Sequence, residues 1–118
     1  MQDYKPWGKL VSINLHECDF DKLSNPEMIK AFVVEIIVKI GMKAHGEIQI
    51  DRFGYGELEG YSAMQFIETS SITVHCDEVG RRCFVDIFSC KDFDEKKAEK
   101  FSEHFFGAKG TMATTLVR

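Results

Sequence analysis

Alternating apolar and polar residues along most of the chain predict β-strands. In residues 8–17, GKLVSINLHE, Val11, Ile13 and Leu15 alternate with polar residues, which is the two-residue period of a strand with one buried face. Similar patterns predict further strands at 46–51, at about 60–68, twice within the hairpin 67–90, and at 110–118. The sequence therefore predicts six strands.

Two segments change to the period of an amphipathic helix. Apolar residues recur every three or four positions over about residues 26–40, with Pro26 in the first turn and Gly41 just past the end. A second helix is predicted to open at Asp92 and to close at Gly107. The predicted order is strand, helix, four strands, helix, strand.

This order predicts an α+β fold for residues 1–118 as a single domain. Each strand has one clearly apolar face and each helix one apolar stripe, so we expect a two-layer sandwich: an antiparallel sheet of about six strands with both helices on one face. In the hairpin 67–90 the other face mixes the aromatic Phe84 and Phe88 with His75 and Asp86. On so small a domain such a face is the wall of a site or an oligomer interface, because a monomer would expose it.

Composition narrows the range of partners. The chain is 44% hydrophobic and 29% charged with a formal net charge of −4, and no stripe of Lys and Arg stands out, which argues against nucleic acid or an anionic membrane as the main partner. Its four cysteines include no CxxC pair, and neither a signal peptide nor a long apolar span is present. We expect a cytoplasmic, reduced protein without a metal site.

The hairpin 67–90 also carries candidate chemistry, because Ser70 and Ser71 interrupt an otherwise apolar strand. Ser70 and His75 are five residues apart, so in a regular strand they point to opposite faces; a joint role requires Ser70 to lie at a bulge or kink. A serine hydroxyl on a strained peptide can attack the preceding carbonyl, here that of Thr69, and convert the amide to an ester. Removal of the Ser70 Cα proton by a base such as neutral His75 then expels the ester and leads to an N-terminal pyruvoyl group.

The sequence is also compatible with structural roles for these residues. A pair of serines in a strand commonly forms a bend or a hydrogen-bonded edge. His75 also suits a hydrogen-bonded structural role, and Cys90 suits a small buried apolar position.

Residues 60–94, GYSAMQFIETSSITVHCDEVGRRCFVDIFSCKDFD, resemble the core of the prokaryotic pyruvoyl-dependent S-adenosylmethionine decarboxylases. Residues 8–19, GKLVSINLHECD, and the order of elements are similar too. The resemblance implies that Ser70 becomes the pyruvoyl cofactor, that His75 assists self-cleavage and that Cys90 donates a proton during decarboxylation. Cleavage between Thr69 and Ser70 would give chains 1–69 and 70–118.

The resemblance also implies a substrate and an assembly. The substrate would be S-adenosylmethionine, decarboxylated for spermidine and polyamine synthesis, and the protein would be a homodimer of αββα form with the sites between two facing sheets. Trp7, Phe53 and Phe66 are candidates for stacking on adenine. Thr69 stands where the family usually has a substrate-contacting Glu, so it is assigned to substrate binding.

Two alternatives remain from the sequence. Thr69 and the charged turn after His75 suit a pyruvoyl-dependent decarboxylase of ornithine or arginine. The second alternative is a protein of this fold that never cleaves itself and acts as a binding or regulatory subunit.

Overall fold

A computed structural model of the protein describes residues 5–118, which form one antiparallel sheet with helices packed on one side. The strands are β1 (Lys9–His16), β2 (Ala44–Phe53), β3 (Gly60–Ile67), β4 (Ser70–Asp77), β5 (Arg82–Ser89) and β6 (Gly110–Val117). The helices are α1 (Phe20–Leu23), α2 (Pro26–Lys39) and α3 (Glu95–Phe106). The sheet order is β2-β3-β4-β5-β1-β6, and the predicted two-layer α+β sandwich is confirmed.

The two longer helices begin at side-chain caps. The Asn25 side chain accepts a hydrogen bond from the Glu27 N–H at the start of α2, and Pro26 occupies the first turn. For α3 the cap is Asp94, so the predicted start at Asp92 is wrong. No described helix is long and apolar enough to cross a membrane.

The core lies between the helices and the sheet. Helix α2 packs over β2 and β3, while α3 packs over β1 and β6. Where the helices meet, the Phe32 ring lies 4.8 Å from the Phe106 ring, measured between centroids. From the strands, the inward positions of the predicted pattern are fully buried: Val11, Ile13, Leu15, Val74, Cys83, Val85 and Ile87. Their burial fixes which face of each strand is turned away from the helices.

The outward residues form an open face, which is organised in rows by the strand register. At one end lies the row Phe66, Ser71, Phe88, Leu10 and Leu116, called the Ser71 row below. At the other end lies the row Ser62, His75, Phe84, Asn14 and Met112, called the His75 row. Aromatic and ionisable side chains therefore share this face, as the sequence predicts.

Candidate active site

A strained two-residue turn precedes Ser70. Glu68 and Thr69 connect β3 to β4, and Ile67 pairs with Ser70 at the closed end of the ladder. Thr69 has a φ of 58°, in the left-handed region that a β-branched side chain strongly disfavours. The strain therefore lies in the residue whose carbonyl belongs to the predicted scissile bond.

Ser70 itself keeps regular strand geometry. It is the first residue of β4 and pairs with Ile67 on one side and Ser89 on the other. The bulge or kink that a joint role with His75 in one chain requires is absent at Ser70, because the irregular backbone belongs to Thr69. Consequently the Ser70 side chain points to the buried side of the sheet, while His75 lies on the open face.

The Ser70 hydroxyl is held in a buried network. Its Oγ donates to Ser89 Oγ at 2.8 Å. Ser89 is fully buried; its Oγ donates to the Lys91 carbonyl at 2.9 Å and accepts from the Lys91 N–H at 3.0 Å. The nucleophile of the predicted self-cleavage therefore has a fixed partner.

Cys90 lies against the same turn. Its Sγ donates to Thr69 Oγ1 at 2.8 Å, and Thr69 Oγ1 donates to the Glu68 carbonyl at 2.6 Å. Cys90 is half-buried, whereas the other three thiols are buried. Burial raises the pKa of Cys18 to about 12, and a hydrogen bond with Cys76, together with burial, raises the pKa of Cys83 well above its ordinary value. Cys90 is thus the thiol best exposed for exchange with a substrate.

The predicted base lies at the far end of β4. His75 Nδ1 and Ser62 Oγ are 2.8 Å apart across the β3–β4 ladder. Five residues of strand separate His75 from Ser70, a distance of about 17 Å. A single chain therefore does not bring His75 to Ser70.

The candidate substrate-binding aromatics divide between the two ends. Trp7 stacks on Phe88 at 5.8 Å between ring centroids and lines a cleft of about 400 Å³ together with Cys90. Phe66 lines a second depression with Thr69, Ser70 and Phe88. Phe53 pairs with Gly60 at the far end of β3 and lies away from Ser70. Two of the three predicted aromatics are therefore close to the turn.

Fixed charges line the Trp7–Cys90 cleft. Lys9 Nζ lies 2.9 Å from Asp92 and 2.6 Å from Glu95. Burial lowers the pKa of Lys9, but its hydrogen bonds to Glu95 and Asp92 raise that pKa overall. The hydrogen bonds from Lys9 in turn lower the pKa values of Asp92 and Glu95. All three groups are charged at neutral pH.

Comparisons with known proteins identify one family. The model of the family "S-adenosylmethionine decarboxylase" matches residues 9–118. The chain belongs to this family.

Two curated relatives come from bacteria. An S-adenosylmethionine decarboxylase proenzyme from Clostridium botulinum (strain Langeland) is 31% identical over 91 residues, which is 76% of this chain and 75% of that protein. A proenzyme of the same name from Anoxybacillus flavithermus is 28% identical over 111 residues, covering 94% of this chain and 86% of the relative.

The family fold is also seen in a solved structure. The adenosylmethionine decarboxylase from Aquifex aeolicus VF5 superposes with a TM-score of 0.82 over 98% of this chain and 92% of that one, at 17% sequence identity. The six-stranded sheet with helices on one side is therefore the fold of the family.

The residues around Ser70 fit the self-made pyruvoyl group of such a family. They provide a hydroxyl, a strained peptide immediately before it and a thiol against the same turn. Two polar residues are not predicted from the sequence: Ser89, which contacts Ser70, and Ser62, which contacts His75. Each is recognised only from the strand register, which pairs Ser62 with His75 and Ser70 with Ser89.

Proposed function

We propose that the chain is the proenzyme of a pyruvoyl-dependent S-adenosylmethionine decarboxylase, cleaved between Thr69 and Ser70. The observation that carries the proposal is the left-handed backbone of Thr69 directly before the buried hydroxyl of Ser70. The decarboxylated product would supply spermidine and polyamine synthesis, which is the role of the family.

Self-cleavage begins when Ser70 Oγ attacks the Thr69 carbonyl carbon. The carbon–nitrogen bond breaks, the Ser70 nitrogen takes up the proton of the hydroxyl, and an ester replaces the amide. A base then removes the Ser70 Cα proton, and the ester leaves as the carboxylate of Thr69. Water replaces the nitrogen at residue 70, ammonia is released, and the chain 70–118 begins with a pyruvoyl group.

The mature site then uses residues of both chains, 1–69 and 70–118. The pyruvoyl carbonyl supplies an electron sink for the loss of CO₂ from an amino acid. Cys90 donates the proton that replaces CO₂ on the substrate carbon, and Trp7 and Phe66 offer exposed rings for the adenine. Thr69 contacts the substrate without the carboxylate that the family usually has at that position.

A homodimer completes the site. The open face exposes large apolar side chains, including Phe66, Met64 and Leu116, each more than half exposed. Two such faces packed against each other form an αββα assembly with the sites between the sheets. A two-fold axis lying between the sheets and perpendicular to the strands places the Ser71 row over the partner's His75 row. His75 then serves as the base that removes the Cα proton of the partner's Ser70.

The mass of the purified protein tests the proposal most directly. We expect two chains, 1–69 and 70–118, the second lighter than a fragment starting with serine by the mass of ammonia. Ser70→Ala should remain a single chain, whereas Cys90→Ala should cleave but lose most of its turnover. A wild-type chain that stays whole on standing would overturn the proposal in favour of a non-cleaving binding protein.

The identity of the substrate is decided by a second assay. Release of CO₂ is measured with S-adenosylmethionine, ornithine and arginine in parallel on the cleaved protein. We expect turnover with S-adenosylmethionine. Turnover with ornithine or arginine alone would keep the pyruvoyl chemistry and replace the substrate.

A further inference from the structure

Two consecutive residues at the end of β5 hold the two residues that flank the predicted scissile bond. Cys90 Sγ is bonded to the side chain of Thr69, and Ser89 Oγ is bonded to the side chain of Ser70. Ser89, the last residue of β5, is fully buried, whereas Cys90, which follows it, is half-buried; the two residues therefore contact the Thr69–Ser70 segment from different sides. Cys90 already has a role in the proposed turnover, whereas Ser89 has none.

The hydrogen bonds of Ser89 fix the direction of the Ser70 hydroxyl. Ser89 Oγ donates its only proton to the Lys91 carbonyl, so it can only accept from Ser70. The Ser70 proton is therefore held toward Ser89, and the remaining lone pairs of Ser70 Oγ stay free. Since Ser89 is fully buried, water does not replace it as the acceptor.

The pairing register explains why Ser89 can hold this position. Ser70 and Ser89 are directly opposite in the β4–β5 ladder, and Lys91 fixes Ser89 through both its N–H and its carbonyl. No side-chain rotation is left to Ser89 without loss of a buried hydrogen bond, which is costly.

We propose that Ser89 is a positioning residue for self-cleavage: it holds the Ser70 hydroxyl with its proton turned away, so that the oxygen is free to attack the Thr69 carbonyl carbon. The proposal rests on the proposed function, because it concerns the first step of that cleavage. Ser89 exchanges no proton with substrate and is not needed for turnover.

The experiment compares Ser89→Ala with Ser89→Thr, which keeps a hydroxyl, and with Ser102→Ala as the matched control. Ser102 is also fully buried, and its Oγ donates to the Ala98 carbonyl at 2.7 Å within α3, away from the turn. Each precursor is made in a short cell-free pulse, and cleavage is followed by mass at a temperature well below every melting temperature. We expect Ser89→Ala to cleave about tenfold more slowly than wild type, as loss of one oriented hydrogen bond implies, and Ser89→Thr to cleave within about threefold of it.

Hydroxylamine provides the readout that a purely structural role leaves unchanged. Hydroxylamine cleaves the ester intermediate and releases chain 1–69 before the elimination step. If Ser89→Ala forms the ester more slowly than wild type, less chain 1–69 is released at early times. Ser102→Ala should lower the melting temperature without changing that early release. Should Ser89→Ala not fold, Ser89→Cys, which keeps the volume but accepts a hydrogen bond poorly, takes its place with the same expected slowing.

The outcomes separate the two proposals. If wild type does not cleave, the proposed function fails. If wild type cleaves and Ser89→Ala cleaves equally fast or faster, or accumulates more ester than wild type, the role of Ser89 fails alone.

Discussion

The left-handed backbone of Thr69 links a local conformational cost to the reactivity of one peptide bond. A β-branched residue at a φ of 58° costs the folded precursor about 1 kcal/mol or more relative to glycine. Cleavage after Thr69 frees the residue from the turn and releases that cost. The strain therefore favours the products of the reaction that Ser70 would carry out.

Thr69→Gly should consequently stabilise the uncleaved precursor. In a Ser70→Ala background, where the chain stays whole, we expect the free energy of unfolding to rise by about 1 kcal/mol, because glycine adopts positive φ without strain. Urea unfolding at neutral pH measures the change. With Ser70 present, the same substitution should slow self-cleavage.

The matched control is Thr73→Gly, in the middle of β4, where φ is negative. Glycine inside a strand destabilises, so this variant should lose stability. A Thr69→Gly precursor that is also less stable than its parent would show that the turn is not strained.

At the scale of elements, the two hydrophobic periods predict most of the structure from the sequence. The strands and α2 lie where the spacing of apolar residues predicts them. The burial of one face fixes the register of each strand and the rotation of the helix about its axis. The start of α3 is missed because Asp92 and Asp94 are equally good caps in sequence. In the structure the Asp94 side chain accepts from the N–H groups of Lys96 and Lys97, whereas Asp92 pairs with Lys9, which is distant in the chain.

The sequence likewise predicts only part of the candidate site. Ser70, His75 and Cys90 are recognised by residue type and family likeness, which require no knowledge of pairing. Ser89 and Ser62 contact Ser70 and His75 from neighbouring strands, and the sequence does not state which residue faces which. The sequence also does not show that the strain lies at Thr69 and not at Ser70, because its position depends on the length of the turn between β3 and β4.

The pairing of Lys9 with α3 predicts a pH dependence of stability. Asp92 and Glu95 have folded pKa values below their ordinary 3.8 and 4.5, so their contribution is complete above about pH 4.5 and is lost as pH falls through the lowered values. Lys9→Met removes the partner. We expect wild type to lose more stability than Lys9→Met between pH 6 and pH 3, measured by urea unfolding at each pH.

Lys96→Met serves as the control for this comparison. Lys96 is 78% exposed and lies 3.6 Å from Glu99, a surface pair that contributes little. Its variant should follow the wild-type pH profile. Equal profiles for Lys9→Met and wild type would contradict a stabilising role for the Lys9 pair.

At the scale of the whole molecule, the two ends of the sheet carry complementary halves of the chemistry. Thr69, Ser70 and Cys90 lie at one end, whereas His75 and its partner Ser62 lie at the other. In the proposed dimer each site takes its hydroxyl from one chain and its base from the partner. A chain that lacks His75 should then be cleaved whenever its partner supplies one.

Mixed dimers test this arrangement. His75→Ala chains alone should cleave slowly, by a factor of about 10² or more, because general-base catalysis is lost. In dimers formed with differently tagged Ser70→Ala chains, the His75→Ala chain keeps Ser70 and receives an intact His75, so its cleavage should return to the wild-type rate. The doubly substituted Ser70→Ala, His75→Ala chain is the matched control, because it forms the same dimer but offers no histidine. Tandem-tag purification isolates the mixed dimers, and mass measurement gives the fraction of His75→Ala chains that is cleaved. If both the Ser70→Ala chain and the doubly substituted chain restore cleavage, or if neither does, the base is not His75 of the partner subunit.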